Sequence, residues 1–258
     1  MLLGIAAIAS PEWPRRAEIL ALPKVSFDTA QGRLLFGLVP FGVALGIPAA
    51  LGLISANVLA LLSAMIACML GRDFLAKTHD EHFGWTPAHG WFAVLSWSVL
   101  ALPLHVNSLD LQQVVAAQTA LGPAPLYFGA GPSAAFWLAM LAGLVAAAGW
   151  SQDQVRLPTI TMGTKDSAAD MIARWGESAL AATAVTSILW GPSLGALVSG
   201  PINERTVGFV ALSFVVTCAA VAAVSFARRF ITPTTQLPLA AGAGAVAALA
   251  MLLAAFVQ

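Results

Sequence analysis

Long apolar runs constrain the fold of this chain more than any other feature of its sequence. A helix needs about 20 apolar residues to cross the hydrocarbon core of a bilayer, where unpaired backbone groups are not tolerated. Runs that reach or approach this length occupy residues 34–54, 58–70, 91–106, 134–150, 179–199, 207–227 and 237–257. No stretch alternates in the way that a barrel strand does. The sequence therefore predicts an all-α integral membrane protein with about seven transmembrane helices.

The composition indicates the same class. Of the 258 residues, 59% are apolar and 9% are charged, whereas about 25% of the residues in a soluble domain are charged. The formal net charge is zero, so nothing favours binding to nucleic acid. We expect residues 1–33 to form an N-terminal interfacial or cytoplasmic segment, and residues 34–258 to form one transmembrane helical domain. Within the first segment, Ser10 and Pro11 have the character of a helix start, which predicts a helix lying in the membrane interface.

Basic residues predict the orientation of the chain. Cytoplasmic loops of membrane proteins are enriched in Lys and Arg. Four segments hold every basic residue except Arg205: the one before the first run, and those between the second and third, the fourth and fifth, and the sixth and seventh. The N-terminus is therefore predicted to face the cytoplasm and the C-terminus to face outward. This is the pattern of a multi-pass protein of the bacterial inner (plasma) membrane.

Acidic residues avoid the middle of the predicted spans. Titratable groups inside spans commonly mark proton and ion pathways. At mid-span the polar residues are hydroxyls such as Thr186 and Thr217, and His105 is the one histidine in a span. A hydroxyl orders water, but it neither takes up nor releases a proton near neutral pH. We therefore expect that the chain alone does not conduct protons and that its spans mainly serve packing, as the small residues of Gly191-x-x-x-Gly195 indicate.

The loop after the fourth span is the most charged part of the chain. Within it, Ser167-x-x-Asp170 has the spacing of a helix start. Such a loop is either a solvated surface or a docking surface for a cytoplasmic partner. The docking interpretation assigns partner contacts to Asp153, Arg156, Lys165, Asp166, Asp170, Arg174 and Glu177.

A second cytoplasmic loop holds three of the four histidines. His79, His82 and His89 lie near carboxylates and have the character of ligands for zinc or iron. Thr78 and Glu81 alternatively form a capping box at the start of a short surface helix. No nucleophile motif, phosphate loop, haem attachment sequence or HExxH motif occurs in the chain. We therefore predict no catalytic, cofactor-binding or metal site.

Three stretches, together with the order of spans and loops, give a resemblance to a known family. Residues 108–118 read SLDLQQVVAAQ, residues 227–230 and 236–240 read ARRF and QLPLA, and Leu157-Pro158 lies in the charged loop. These stretches resemble parts of membrane subunit 1 of respiratory complex I and of its bacterial equivalent. They are also similar to the counterpart of that protein in group 4 membrane-bound NiFe hydrogenases and formate hydrogenlyase. That family has eight spans, and removing the first gives the topology predicted above.

The resemblance implies a membrane-anchor subunit of an electron-transfer complex that binds no cofactor itself. Iron–sulfur clusters would belong to a cytoplasmic hydrogenase-like arm, and antiporter-like subunits would contact the chain within the bilayer. The family also uses a quinone, but its acids at the quinone end are replaced here by Gly149, Arg156, Thr159 and Thr161. A small-solute transporter or channel acting as a homo-oligomer is the alternative function. A membrane-embedded enzyme is disfavoured because no catalytic constellation is present.

Overall fold

Helices form the described part of the chain. A computed structural model describes residues 1–11, 13, 57–59, 62–63, 66, 87–121, 126, 130–152, 168–191 and 204–256. Its helices are α1 (Leu2–Ala9), α2 (Pro87–Val106), α3 (Leu111–Leu121), α4 (Ala130–Gln152), α5 (Ala168–Leu189), α6 (Glu204–Ala227) and α7 (Pro233–Phe256), and a 3-10 turn, Arg228–Phe230, joins α6 to α7. Among these residues the one β pairing is an isolated bridge between Asn57 and Asp110. The predicted all-α class is confirmed.

Helices α2 and α4 run antiparallel in close contact. A Cβ added to Gly143 would lie 3.1 Å from Ser98 Cβ, and a Cβ added to Gly149 would overlap the ring of Trp91. The earlier residue of α2, Trp91, thus contacts the later residue of α4, Gly149, as expected for antiparallel helices. Glycine at these positions lets the two backbones approach more closely than a larger residue would allow.

Helix α7 packs against both α2 and α4 and runs parallel to α2. Toward the start of α2, Val94 lies against Gly244 in the middle of α7. Near the ends of the two helices, Nδ1 of His105 is 3.0 Å from the carbonyl oxygen of Ala254. This hydrogen bond requires the proton on Nδ1, because a carbonyl oxygen only accepts.

Helix α5 lies against α4 on one side and against α6 on the other, and it is antiparallel to both. On the α4 side, a Cβ on Gly143 would lie 3.0 Å from Val185. On the α6 side, the hydroxyl oxygens of Thr186 and Thr217 are 3.1 Å apart. Helices α2, α5 and α7 therefore run in one direction, and α4 and α6 run in the other.

Four of these helices are long and apolar enough to cross a membrane, and they indicate a membrane protein. The corresponding stretches are His89–Val106, Pro132–Gln152, Val207–Phe230 and Thr234–Phe256. Their midpoints fall near Ser98, Ala142, Cys218 and Ala245. The contacts described above bring the midpoints of α2, α4 and α6 to one level of the bundle and that of α7 to within one turn of it. This level is called the midplane below.

The predicted spans 91–106, 134–150, 207–227 and 237–257 agree with α2, α4, α6 and α7 to within a few residues. The predicted span 179–199 is wrong in its bounds, because α5 begins at Ala168 and ends at Leu189. Gly191 and Pro192 follow its end, and proline does not continue a helix. The apolar run thus extends past the helix, while the polar first half of the helix precedes the run. The runs at 34–54 and 58–70 lie outside the described residues, apart from a few positions in the second.

Helix α1 lies against α5 and α6. The side chains of Ala6 and Ala7 are buried there. Ser10, where the sequence predicted a helix start, instead follows the last residue of α1. Its hydroxyl donates to the carbonyl of Ala7 and accepts a hydrogen bond from the indole of Trp175. An interfacial helix after Pro11 would lie outside the described residues.

Helices α6 and α7 present apolar side chains away from the core. Leu237 and Phe256 are more than three-quarters exposed, and Val215 is more than half exposed. Apolar side chains on the outside of a bundle are those expected to face lipid tails. The interior contains mainly small residues, so helices in contact pack closely.

Candidate functional site

A layer of buried polar side chains crosses the bundle near the end at which α2, α5 and α7 begin. It consists of Trp91 on α2, Trp150 on α4, Ser178 on α5 and Ser225 on α6, and these four residues are called the polar layer below. Each is at most 2% exposed. The contacts Gly149–Trp91, Gly143–Val185 and Thr186–Thr217 set the register of the helices. Each of the four residues is about seven residues from the midplane when residues are counted along its helix from these contacts. At about 1.5 Å per residue, all four lie at one level, about 10 Å from the midplane.

The polar atoms of this layer have no hydrogen-bond partner in the described part of the chain. They are Nε1 of Trp91 and Trp150 and Oγ of Ser178 and Ser225. An indole N–H only donates, whereas a hydroxyl both donates and accepts. A buried donor without an acceptor costs about 1–3 kcal/mol, so four such groups at one level call for an explanation.

Several other hydroxyls in these helices behave differently, although Ser213 on α6 also has no partner in the described part of the chain. Ser98 donates to the carbonyl of Val94, Ser151 donates to Ala147, and Thr183 donates to Ala179. Such a bond to the carbonyl one turn earlier is the usual arrangement of a hydroxyl inside a helix. Ser178 and Ser225 make no bond of this kind.

Two ionisable side chains flank the polar layer. Glu177 on α5 is 3% exposed, and Arg228 in the 3-10 turn is fully buried. Helical rise places Glu177 about 12 Å from the midplane. At this distance Glu177 lies well away from the midplane, and the expectation that acids avoid the middle of the spans stays a prediction.

A fully apolar layer lies one turn deeper than the polar layer. It consists of Leu95, Ala146, Ala182 and Val221, called the apolar layer below. All four side chains have no exposed surface. They come from the same four helices as the polar layer and lie at one level by the same register. Their packing separates the polar layer from the midplane.

Polar contacts return at the midplane and beyond it. Thr186 and Thr217 pair across α5 and α6, and each also donates to its own helix, to Ala182 and Ser213 respectively. Two hydroxyl protons cannot serve all three contacts at once, so one of the contacts lacks its proton at any moment. Toward the opposite end of the bundle, the side-chain amide of the fully buried Gln118 donates to the carbonyl of Ile188.

Three of the seven residues predicted to dock a partner lie on α5. Asp170 lies in the first turn of α5, Arg174 is half-buried one turn later, and Glu177 is buried. By helical rise, Asp170 is about 22 Å and Arg174 about 16 Å from the midplane. Asp153, Arg156, Lys165 and Asp166 lie outside the described residues. Docking by this set stays a prediction.

The predicted histidine cluster is only partly described. His89 lies in the first turn of α2 and is half-buried, while His79 and His82 lie outside the described residues. Within the residues the structure describes, no group of three or more His, Cys, Asp or Glu side chains is arranged to hold a metal ion. His105 binds the C-terminal turn of α7 and contacts the ring of Phe136, with 5.4 Å between the ring centres.

Sequence reasoning missed the polar layer and the burial of Arg228. The four members of the layer come from four different helices, and no local motif links them. The available signal was a Trp or Ser near the same end of each apolar run, but their common level depends on how the helices are packed. Comparison with known proteins adds no further assignment, because the chain matches no protein-family model, no curated protein and no solved structure.

Proposed function

We propose that this chain is a non-catalytic membrane-anchor subunit of a multisubunit complex. Its bundle would fix a cytoplasmic arm at the end where α5 begins. The resemblance found in the sequence favours an electron-transfer complex of the complex I or group 4 hydrogenase kind, in which the arm carries the iron–sulfur clusters. Antiporter-like subunits would then contact the outer faces of α6 and α7, together with lipid, in a bacterial inner membrane.

The position of α5 carries this proposal. The first two turns of α5 extend about 12 Å beyond the end of α4, since Gln152 is level with Gly176 at the start of the third turn of α5. That extension includes Asp170 and Arg174. The charged segment 153–167 joins α4 to α5 in the sequence. A helix that extends past its neighbour and directly follows a charged segment in the sequence is suited to bind a polar partner.

Copurification tests the proposal. The variant Lys165→Glu/Asp170→Lys reverses two charges of the docking set without changing the net charge. We expect hydrophilic partner subunits to copurify with the wild-type chain from its native membrane and to be lost from this variant. Glu204→Lys/Arg205→Glu is the matched control, because it makes the same exchange at the opposite end of the bundle, and it should retain the partners. A wild-type chain that purifies without hydrophilic partners would contradict the anchor function.

The buried polar groups favour small-solute transport as a second candidate. Ionisable residues at membrane depth commonly line solute pathways, and both Glu177 and Arg228 are buried beside the polar layer. In this case the chain would act as a homo-oligomer. Solute flux through proteoliposomes of the purified chain, lost in Glu177→Gln, would support transport, and the absence of partner subunits would accompany it.

A further inference from the structure

We infer that the polar layer is a binding site for water that enters from the end of the bundle where α2 begins and stops at the apolar layer. This inference goes beyond the proposed function and does not depend on it. It rests on three features of the described residues: four donors without a partner at one level, the charges that flank them, and the apolar layer beneath them.

The donors define the chemistry of the ligand. The two indole groups of Trp91 and Trp150 require an acceptor, because an N–H cannot accept. The hydroxyls of Ser178 and Ser225 can use either a donor or an acceptor. Water supplies both and typically makes about three hydrogen bonds in a buried position. A few water molecules would therefore satisfy all four groups.

The flanking charges give no preference for an ionic ligand. Glu177 immediately precedes Ser178 on α5, and Arg228 follows Ser225 by three residues, so both lie on the outer side of the layer. The two groups are of opposite charge, so together they favour neither an anion nor a cation. A neutral polar ligand is compatible with both. The close contact between Gly149 and the Trp91 ring also favours a small ligand over an extended organic one.

The position of the layer gives the direction of entry. It lies about 10 Å from the midplane and so about 5 Å from the edge of the hydrocarbon core. Helix α4 ends at Gln152, within one turn of Trp150, so the layer is near the end of the bundle. On the other side, Leu95, Ala146, Ala182 and Val221 are all fully buried. Water that reaches the layer therefore has polar partners up to this point and none immediately beyond it.

Cysteine accessibility tests the inference. In a background with Cys68→Ala and Cys218→Ala, Ser178→Cys and Ser225→Cys place a thiol in the polar layer. Ser98→Cys is the matched control, because Ser98 is also fully buried but lies beyond the apolar layer and donates to its own helix. Each variant is reconstituted in liposomes and treated with 2-aminoethyl methanethiosulfonate on one side, with a thiol scavenger on the other.

We expect Ser178→Cys and Ser225→Cys to react at least about tenfold faster than Ser98→Cys, and only from the side where α2 begins, because a thiol needs water to ionise and react. Rates equal to that of Ser98→Cys, or equal rates from both sides, would overturn the inference. A second measurement covers variants that fail to fold. In the native sequence with 15N-labelled tryptophan, the indole protons of Trp91 and Trp150 should show magnetisation exchange with water, and its absence would also overturn the inference.

Discussion

The hydroxyl oxygens of Thr186 and Thr217 lie 3.1 Å apart across α5 and α6, at the level where the candidate spans have their midpoints. An interhelical hydrogen bond of this type contributes about 0.6 kcal/mol on average in membrane proteins. The modest value is expected here, because each hydroxyl has a carbonyl of its own helix as an alternative partner.

We predict a small coupling between these two threonines. Thr186→Val and Thr217→Val keep the side-chain shape and remove the hydroxyl. Each single variant should lower the free energy of unfolding by about 0.5–1.5 kcal/mol, and the double variant by less than the sum. Unfolding in mixed micelles measures the double-mutant cycle. Additive effects would show that the two hydroxyls do not interact.

A second prediction concerns the contact between α2 and α4. Gly149→Ala should lower the free energy of unfolding by about 1–3 kcal/mol, because the added methyl group overlaps the Trp91 ring. Gly242→Ala is the matched control in α7, where a Cβ meets nothing within 4 Å. That change should be neutral or stabilise by up to about 1 kcal/mol through helix propensity. Equal responses of the two variants would contradict the close α2–α4 contact.

The four spans α2, α4, α6 and α7 were predictable because each coincides with an uninterrupted apolar run. Helix α5 was misplaced because hydropathy measures preference for lipid, while the first half of α5 contacts protein. Neighbouring helices bury Glu177 and Ser178, so the polarity of these residues does not indicate exposure to water.

The polar layer was not predictable from sequence for a different reason. Trp91 and Ser225 are far apart along the chain, and neither has a local pattern that indicates burial. They share a level because close contacts at Gly143 and Gly149 set the register of α2, α4 and α5, and the contact between Thr186 and Thr217 sets that of α6. Small residues are visible in the sequence, but which helices they bring together depends on the whole packing arrangement.

A third prediction concerns the attachment of α1. The indole of Trp175 donates to the hydroxyl of Ser10, at 2.9 Å, and the ring of Trp13 packs nearby. Ser10→Ala leaves this buried indole without its acceptor, which costs about 1–3 kcal/mol. We expect faster hydrogen exchange throughout α1. Ser96→Ala is the control, because the hydroxyl of Ser96 bonds only within its own helix, to Phe92. Unchanged exchange of α1 in Ser10→Ala would show that this bond does not hold the helix.

The last prediction is that the purified chain does not conduct protons across a bilayer. The polar layer and the threonine pair are separated by about 12 Å of helix, and the fully buried apolar layer lies between them. A chain of water molecules through that region would leave hydrogen bonds unmade, and a charge there costs several kcal/mol. The hydroxyls at the midplane neither take up nor release a proton near neutral pH, and His105 is bound to the carbonyl of Ala254 near the opposite end.

Proteoliposomes under an imposed potential should show the same proton leak as protein-free liposomes. Ala182→Ser/Val221→Thr adds two hydroxyls to the apolar layer at nearly constant volume and is expected to raise the leak. A pH-dependent current in the wild-type chain that is abolished by Glu177→Gln or His105→Ala would contradict this prediction and favour transport over anchoring.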